Sequence, residues 1–184
     1  MTHHLKASPE TCHWGYFDAR VPPALTIASG ESVTIESVSG TVETLPPAGF
    51  HVPPELHAIH AAQKGLPFGP HILTGAVAVE GAWPGDVLQI DIEAVSLRQD
   101  WGYNVIRPLA GTLQSDFHAT RLLHIPLDLN AKVGKLPWGL ELELAPFFGV
   151  MGTAPPPACR RASRRRRAPR RPPRPARRRR APPP

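Results

Sequence analysis

The sequence predicts a mainly β protein: an antiparallel β sandwich or barrel-like scaffold with little helix, followed by a disordered C-terminal tail. Three observations point there: short apolar/polar alternations, Gly/Pro turns between them, and an abrupt change of composition after Pro157. Leu25–Ala28 and Ser32–Val38 flank Ser29-Gly30-Glu31 and read as a hairpin. The prolines of Leu45-Pro-Pro-Ala-Gly-Phe-His-Val-Pro-Pro exclude a central strand and favour an ordered loop. Residues 55–63 read as a short helix with Pro54 in its first turn, where the missing N–H costs nothing. Ala76–Glu80 is a strand and Pro84-Gly85-Asp86 a turn, with Asp86 placed to accept from nearby backbone amides. Between Val87 and Leu97, Leu88, Ile90 and Ile92 alternate with Gln89, Asp91 and Glu93, the pattern of a half-buried antiparallel strand. Arg121–Leu127 and Leu140–Leu144 complete the set.

Charge divides the chain in two. Residues 159–184 hold 13 arginines, 7 prolines and no acidic group, which leaves 8 Lys+Arg against all 15 Asp+Glu in residues 1–158. The high overall pI therefore belongs to the tail and not to the domain. The tail has no apolar side chain larger than alanine apart from Cys159, too little to offset the entropy of ordering it. The domain is thus expected over residues 1–157 and a disordered Arg/Pro segment over 158–184. Blocks such as Arg164–Arg167 fit phosphate backbones, so non-specific nucleic acid is the expected partner of the tail alone. Arginine, proline and alanine codons all have families beginning with two G or C bases. A tail of this composition is what a GC-rich gene yields in a wrong frame, and a frameshift near codons 157–159 is the expected origin.

Cys12 and Cys159 form no disulfide or zinc pattern. The start lacks a secretory apolar stretch and no run approaches the roughly 20 residues of a membrane span. A cytoplasmic protein with no membrane partner is the expectation.

Several residue groups carry candidate chemistry. Asp100-Trp101-Gly102-Tyr103-Asn104 combines a carboxylate, an amide and two aromatics after a strand, which suits a pocket wall and also a tight turn capping a sheet. Glu80 precedes the turn and is a second candidate acid, although turn carboxylates commonly face solvent. His71, at a strand entrance, is a candidate metal or substrate contact, or else a hydrogen-bonding residue of the scaffold. His57 and His60 would share a helix face, but lack a clear third ligand and read as surface residues. No Gly-X-Ser-X-Gly elbow or phosphate-binding glycine loop is present.

Four ordered segments resemble the acetamidase/formamidase family. They are His13-Trp-Gly-Tyr-Phe-Asp with Pro22-Pro23 and the Leu25–Val38 pair; His71-Ile-Leu-Thr-Gly with Val79-Glu-Gly-Ala-Trp-Pro-Gly-Asp-Val-Leu; Leu97-Arg-Gln-Asp-Trp-Gly-Tyr-Asn with Arg107-Pro-Leu; and Leu136-Pro-Trp-Gly-Leu-Glu with Pro146-Phe-Phe-Gly-Val-Met-Gly. The resemblance runs over roughly residues 10–157, the N-terminal half of the family. Ala76 stands where the family has proline, and Trp83 where it has an acidic residue.

The resemblance implies hydrolysis of short linear amides, formamide or acetamide, to carboxylate and ammonia. That reaction needs an electrophile at the carbonyl, a nucleophile and an acid for the leaving amine. Asp100 and Glu80 are the expected catalytic groups, Trp101, Tyr103 and Asn104 the substrate contacts, and His71 a ligand to a divalent metal, zinc or calcium. The resemblance further implies a homo-oligomer at full length. Family members resemble chains about twice as long, whose second half carries His-Gly-Gly-Asn and Gly-Asp-Gly segments that are missing after Pro157. These 184 residues are therefore expected to be truncated and inactive. The contrasting reading is a non-enzymatic acidic β domain whose basic arm binds nucleic acid or anionic surfaces.

Overall fold

The computed structural model describes residues 1–62 and 71–155, together with the backbone of Arg161–Ala162. The described fold is mainly β, with sandwich-like sheets and one α-helix. In chain order the strands are β1 (Thr2–Leu5), β2 (Cys12–Trp14), β3 (Tyr16–Phe17), β4 (Leu25–Ile27) and β5 (Ser32–Ile35), then helix α1 (Pro54–Ala62). They continue with β6 (Ile72–Thr74), β7 (Val77–Val79), β8 (Trp101–Ile106), β9 (Arg121–Asp128), β10 (Val133–Lys135), β11 (Glu141–Glu143) and β12 (Arg161–Ala162). No helix among the described residues is long and apolar enough to cross a membrane.

The turn at Ser29-Gly30-Glu31 forms, but the expected hairpin does not. Gly30 adopts φ +85°, Glu31 N–H donates to Ala28 O, and the Glu31 carboxylate accepts from Ala28 N–H at 2.9 Å. The flanking strands then diverge: β4 runs parallel to β7, and β5 runs parallel to β1. Local alternation specified two strands without specifying partners, and a parallel pair joins residues far apart in sequence. Strands β2 and β6 pair antiparallel, and β8 to β11 form a four-stranded antiparallel sheet in the order β11-β10-β9-β8. The Arg/Pro segment expected to be disordered lies outside the described residues, except that the backbone of β12 pairs antiparallel with β3.

A second correction concerns residues 87–97. This segment carries the clearest alternation in the sequence, yet it belongs to no strand, and Val87, Leu88, Ile90 and Ile92 are exposed. Alternation marks one apolar face; it does not supply a neighbour to cover it. The preceding turn is as expected, with Asp86 Oδ2 accepting from Trp83 N–H at 2.7 Å and Asp86 N–H returning to Trp83 O at 3.0 Å.

Helix α1 begins at Pro54 and buries Leu56 and Ile59 completely. These two, with Ala7, Cys12 and Val38, make the main core cluster, flanked by Trp14, Leu45, Val52 and Ile72. His57 is exposed, whereas His60 is buried against the Trp14 ring, contrary to the surface reading of the pair. His60 sits one residue after Ile59 on the inner face of the helix, and its Nε2 donates to Gly40 O at 3.1 Å. The core is unevenly distributed: most large apolar side chains left exposed lie between Trp83 and Met151.

Surface carboxylates staple two turns, one after β4 and one after β9. The Ala28 N–H, and after it His3, hold the Glu31 carboxyl below its ordinary value of 4.5; hydrogen bonds from Ala131 N–H and Lys135 do the same for Asp128 below 3.8. A carboxylate whose pKa is lowered by folding stabilises the fold above its ordinary pKa and loses that contribution as pH falls through the folded value. The denaturation midpoint is therefore expected to fall on acidification below about pH 4.5. Glu31→Gln is expected to flatten part of that fall in urea titrations at stepped pH.

Candidate functional site

Period-two alternation along β8 places Trp101, Tyr103 and Val105 on one face and Gly102, Asn104 and Ile106 on the other. The three expected substrate contacts are thus divided between two faces. Trp101 is 1% exposed, and its Nε1–H donates to His51 O at 2.9 Å. Just before β8, Asp100 Oδ1 accepts from His51 N–H at 2.8 Å. Both polar groups of the His51 backbone are therefore held by adjacent residues, and the proline-rich loop is fixed to the start of the sheet. Asp100 and Trp101, expected to act on a substrate, are engaged in the scaffold.

Around them lies an aromatic cluster that sequence reasoning did not foresee. Strand β9 pairs antiparallel with β8 and sets His124 directly opposite Tyr103. The His124 ring meets the Trp101 ring edge-on, with centroids 6.2 Å apart, and Trp101 and Tyr103 lie at 6.3 Å. His124 Nε2 donates to Thr44 O at 3.0 Å. Residues 40–44 are thus held from two sides, by His60 at Gly40 O and by His124 at Thr44 O. His124 escaped the sequence reading because it sits inside an apolar run with no motif around it.

Gly40 is required by this arrangement. It adopts φ +93°, and a Cβ there would stand 2.9 Å from Thr44 Oγ1. Thr44 Oγ1 cannot move away cheaply, because it accepts from Thr41 N–H at 2.8 Å and donates to Thr41 O at 3.0 Å. Gly40→Ala is expected to cost about 1–3 kcal/mol, measured as a fall in the chemical denaturation midpoint.

Asn104 stands on the other face and lines an open cleft of about 320 Å³ with Arg107, Thr112, Leu113 and Phe117. Its carboxamide and the Arg107 guanidinium are the strongest hydrogen-bonding groups of that lining. A volume of this order lies at the small end of ligand clefts.

Glu80 and His71 lie elsewhere in the fold. Glu80 follows β7, its N–H donating to Ile27 O at 2.8 Å and its side chain exposed. His71 precedes β6; its ring is exposed and its carbonyl accepts from Gly15 N–H at 2.8 Å. No hydrogen bond, ion pair or ring contact among the described residues joins either one to Asp100. Nor do three or more His, Cys, Asp or Glu side chains gather among the described residues in a group that could hold a metal ion. Among the described residues, His71 has no companion ligands with which to hold a metal ion.

Arg98 bridges Glu36, at 3.4 Å, and Glu55. Burial raises the Glu55 pKa, but its backbone hydrogen bond and the Arg98 guanidinium outweigh that effect and lower it overall. Arg98 thereby ties the segment leading into β8 to the first turn of α1.

Comparison with known proteins agrees with the four sequence segments. The model of the acetamidase/formamidase family matches residues 2–171, past Pro157 and into the Arg/Pro segment. Among solved structures, the chain is similar in fold to a crystal structure of an acetamidase from Bacillus halodurans, with a TM-score of 0.56 and 21% identity. That alignment covers 83% of this chain and 46% of the acetamidase, so the chain spans about half the length of that structure. A comparison with curated proteins returned no match. The chain belongs to the acetamidase/formamidase family.

Proposed function

We propose that these residues form the scaffold half of a hydrolase of short linear amides, and that the 184 residues alone do not complete its active site. The observation that carries this reading is the family match over residues 2–171, combined with a span of only 46% of the similar acetamidase. The placement of side chains supports it. Asp100 and Trp101 are engaged by the His51 backbone, Glu80 and His71 have no link to them, and the cleft beside Asn104 is lined by hydrogen-bonding groups with no carboxylate, histidine or cysteine among them.

Within this reading Asn104 and Arg107 serve to hold a small amide by its carbonyl oxygen and nitrogen, since a carboxamide both donates and accepts while a guanidinium donates. The Tyr103 and His124 pair acts on the opposite face, as a rigid wall. The groups that polarise the carbonyl and protonate the leaving ammonia are assigned to the remaining half of the family fold. The Arg/Pro segment is proposed to arise from an out-of-frame reading and to have no part in the reaction.

Ammonia release tests the proposal. Purified chain with formamide or acetamide is expected to release none above the buffer rate. Turnover at about 1 s⁻¹ or faster, the lower end of ordinary enzyme rates, would show that the site is complete without a second half.

A further inference from the structure

The cleft beside Asn104 is lined by polar and apolar side chains and, among the described residues, by no acidic one. After β8, residues 107–117 turn back on themselves: Ala110 N–H donates to Arg107 O at 3.2 Å, Gly111 adopts φ +82°, and Asp116 N–H donates to Leu113 O at 3.3 Å. These turns bring Leu113 and Phe117, both exposed, into the same lining as Asn104, Arg107 and Thr112. Four arginines occur in residues 1–158. Arg20 is paired with Asp18 at 2.6 Å, and Arg98 with Glu36 and Glu55. Among the described residues Arg107 and Arg121 make no ion pair, and they lie at one end of the β8–β9 ribbon. Arg107 follows β8, while Arg121 stands opposite Ile106 in the register, on the face that Ile106 shares with Asn104. Glu43, whose carboxyl is held low first by Thr41 and last by Arg107, senses that guanidinium without an ion pair to it.

Charge and size together select a ligand. In a domain with 15 Asp+Glu against 8 Lys+Arg, two unpaired guanidinium groups beside an acid-free lining make a local positive field. A carboxylate accepts from the guanidinium fork, and the Asn104 amide and Thr112 hydroxyl can donate to it as well. The NH2 of a neutral amide is itself a donor and has nothing to offer a guanidinium. Formamide or acetamide fills at most about 100 Å³, roughly three waters' share of liquid volume, and the cleft holds about 320 Å³. The remaining space is bounded by Leu113 and Phe117. We infer that this cleft binds a small carboxylate carrying an apolar arm about the size of a phenyl ring, with Arg107 on the carboxylate and Leu113 and Phe117 against the arm. The inference deepens the amidase reading and rests on it for the source of the ligand: the carboxylate is the acid product, and the substrate class is amides whose acyl group bears such an arm.

Titration of the full chain with phenylacetate, acetate and phenylacetamide, followed by backbone amide NMR, tests this. Reading the shifts residue by residue is necessary because the 13 arginines of residues 159–184 also attract anions. Phenylacetate is expected to move the signals of residues 104–117 and to bind more tightly than either acetate or phenylacetamide. Arg107→Gln is expected to weaken phenylacetate at least about tenfold and to leave phenylacetamide nearly unchanged. Phe117→Ala is expected to weaken phenylacetate about fivefold or more and to leave acetate unchanged. Both side chains are exposed, so the core stays intact, and an unchanged circular dichroism spectrum checks this. Shifts confined to the Arg/Pro segment, or phenylacetate binding indifferent to Arg107→Gln, would overturn the inference. Phenylacetamide bound in the cleft as tightly as phenylacetate would also overturn it, while leaving the amide reading of the cleft in place. Ammonia release by the chain bears on the amidase reading alone, so the two failures are distinguishable.

Discussion

Replacing Trp101, the bulkiest fully buried side chain among the described residues, with alanine is expected to cost about 3–5 kcal/mol. Three effects act together. The indole is almost fully buried, its N–H satisfies His51 O, and its ring supports both Tyr103 and His124. Truncation opens a cavity and leaves the His51 carbonyl without its donor. Trp101→Phe separates these effects: it retains most of the ring contact and loses only the hydrogen bond, so about 1–2 kcal/mol is expected. Urea titration of the two variants measures both numbers. Equal losses would show that the hydrogen bond, and not the packing, dominates.

The second large effect is expected at Leu56. Leu56 and Ile59 are the fully buried residues of α1, and the main cluster contains few other large side chains. A small core has little capacity to collapse around a void, so Leu56→Ala is expected to cost about 2–5 kcal/mol. By contrast, alanine at exposed His57 on the same helix is expected to change stability by less than about 0.5 kcal/mol. The pair of variants distinguishes loss of core from loss of helix propensity, because only the first depends on which face is changed.

These two sites show what the sequence made legible. Pro54 in a first turn marked the helix, and Pro84-Gly85-Asp86 marked a turn whose aspartate bonds the backbone as turn chemistry requires. Such features are written in neighbouring residues. Partnership is not. The Leu25–Val38 segment showed two strands and a turn, yet its strands pair with β1 and β7, chosen by packing remote in sequence. Residues 87–97 displayed a face without anything to cover it.

The site was legible to a similar degree. Asp100, Trp101, Tyr103 and Asn104 were recognisable as chemically capable residues, but strand alternation sends Asn104 to the face opposite the two aromatics. Backbone bonds at His51 engage Asp100 and Trp101, and no sequence pattern announces a hydrogen bond that spans about half the chain's preceding length. His124 is the counterpart: its role beside Trp101 and Thr44 arises from cross-strand register alone. Family resemblance was carried by several short segments in order, and the family match over residues 2–171 agrees with it.

The central proposal is that residues up to about 157 are a family scaffold whose catalytic complement is encoded in another frame. Sequencing the coding DNA from before codon 157 through several hundred bases past the stop, and translating every forward frame, tests it most directly. The expected result is a second frame that continues with Gly-, His- and Asp-rich segments and alternating strands. Frames that all terminate or remain low in complexity would contradict it, and would make the Arg/Pro segment a genuine part of the protein.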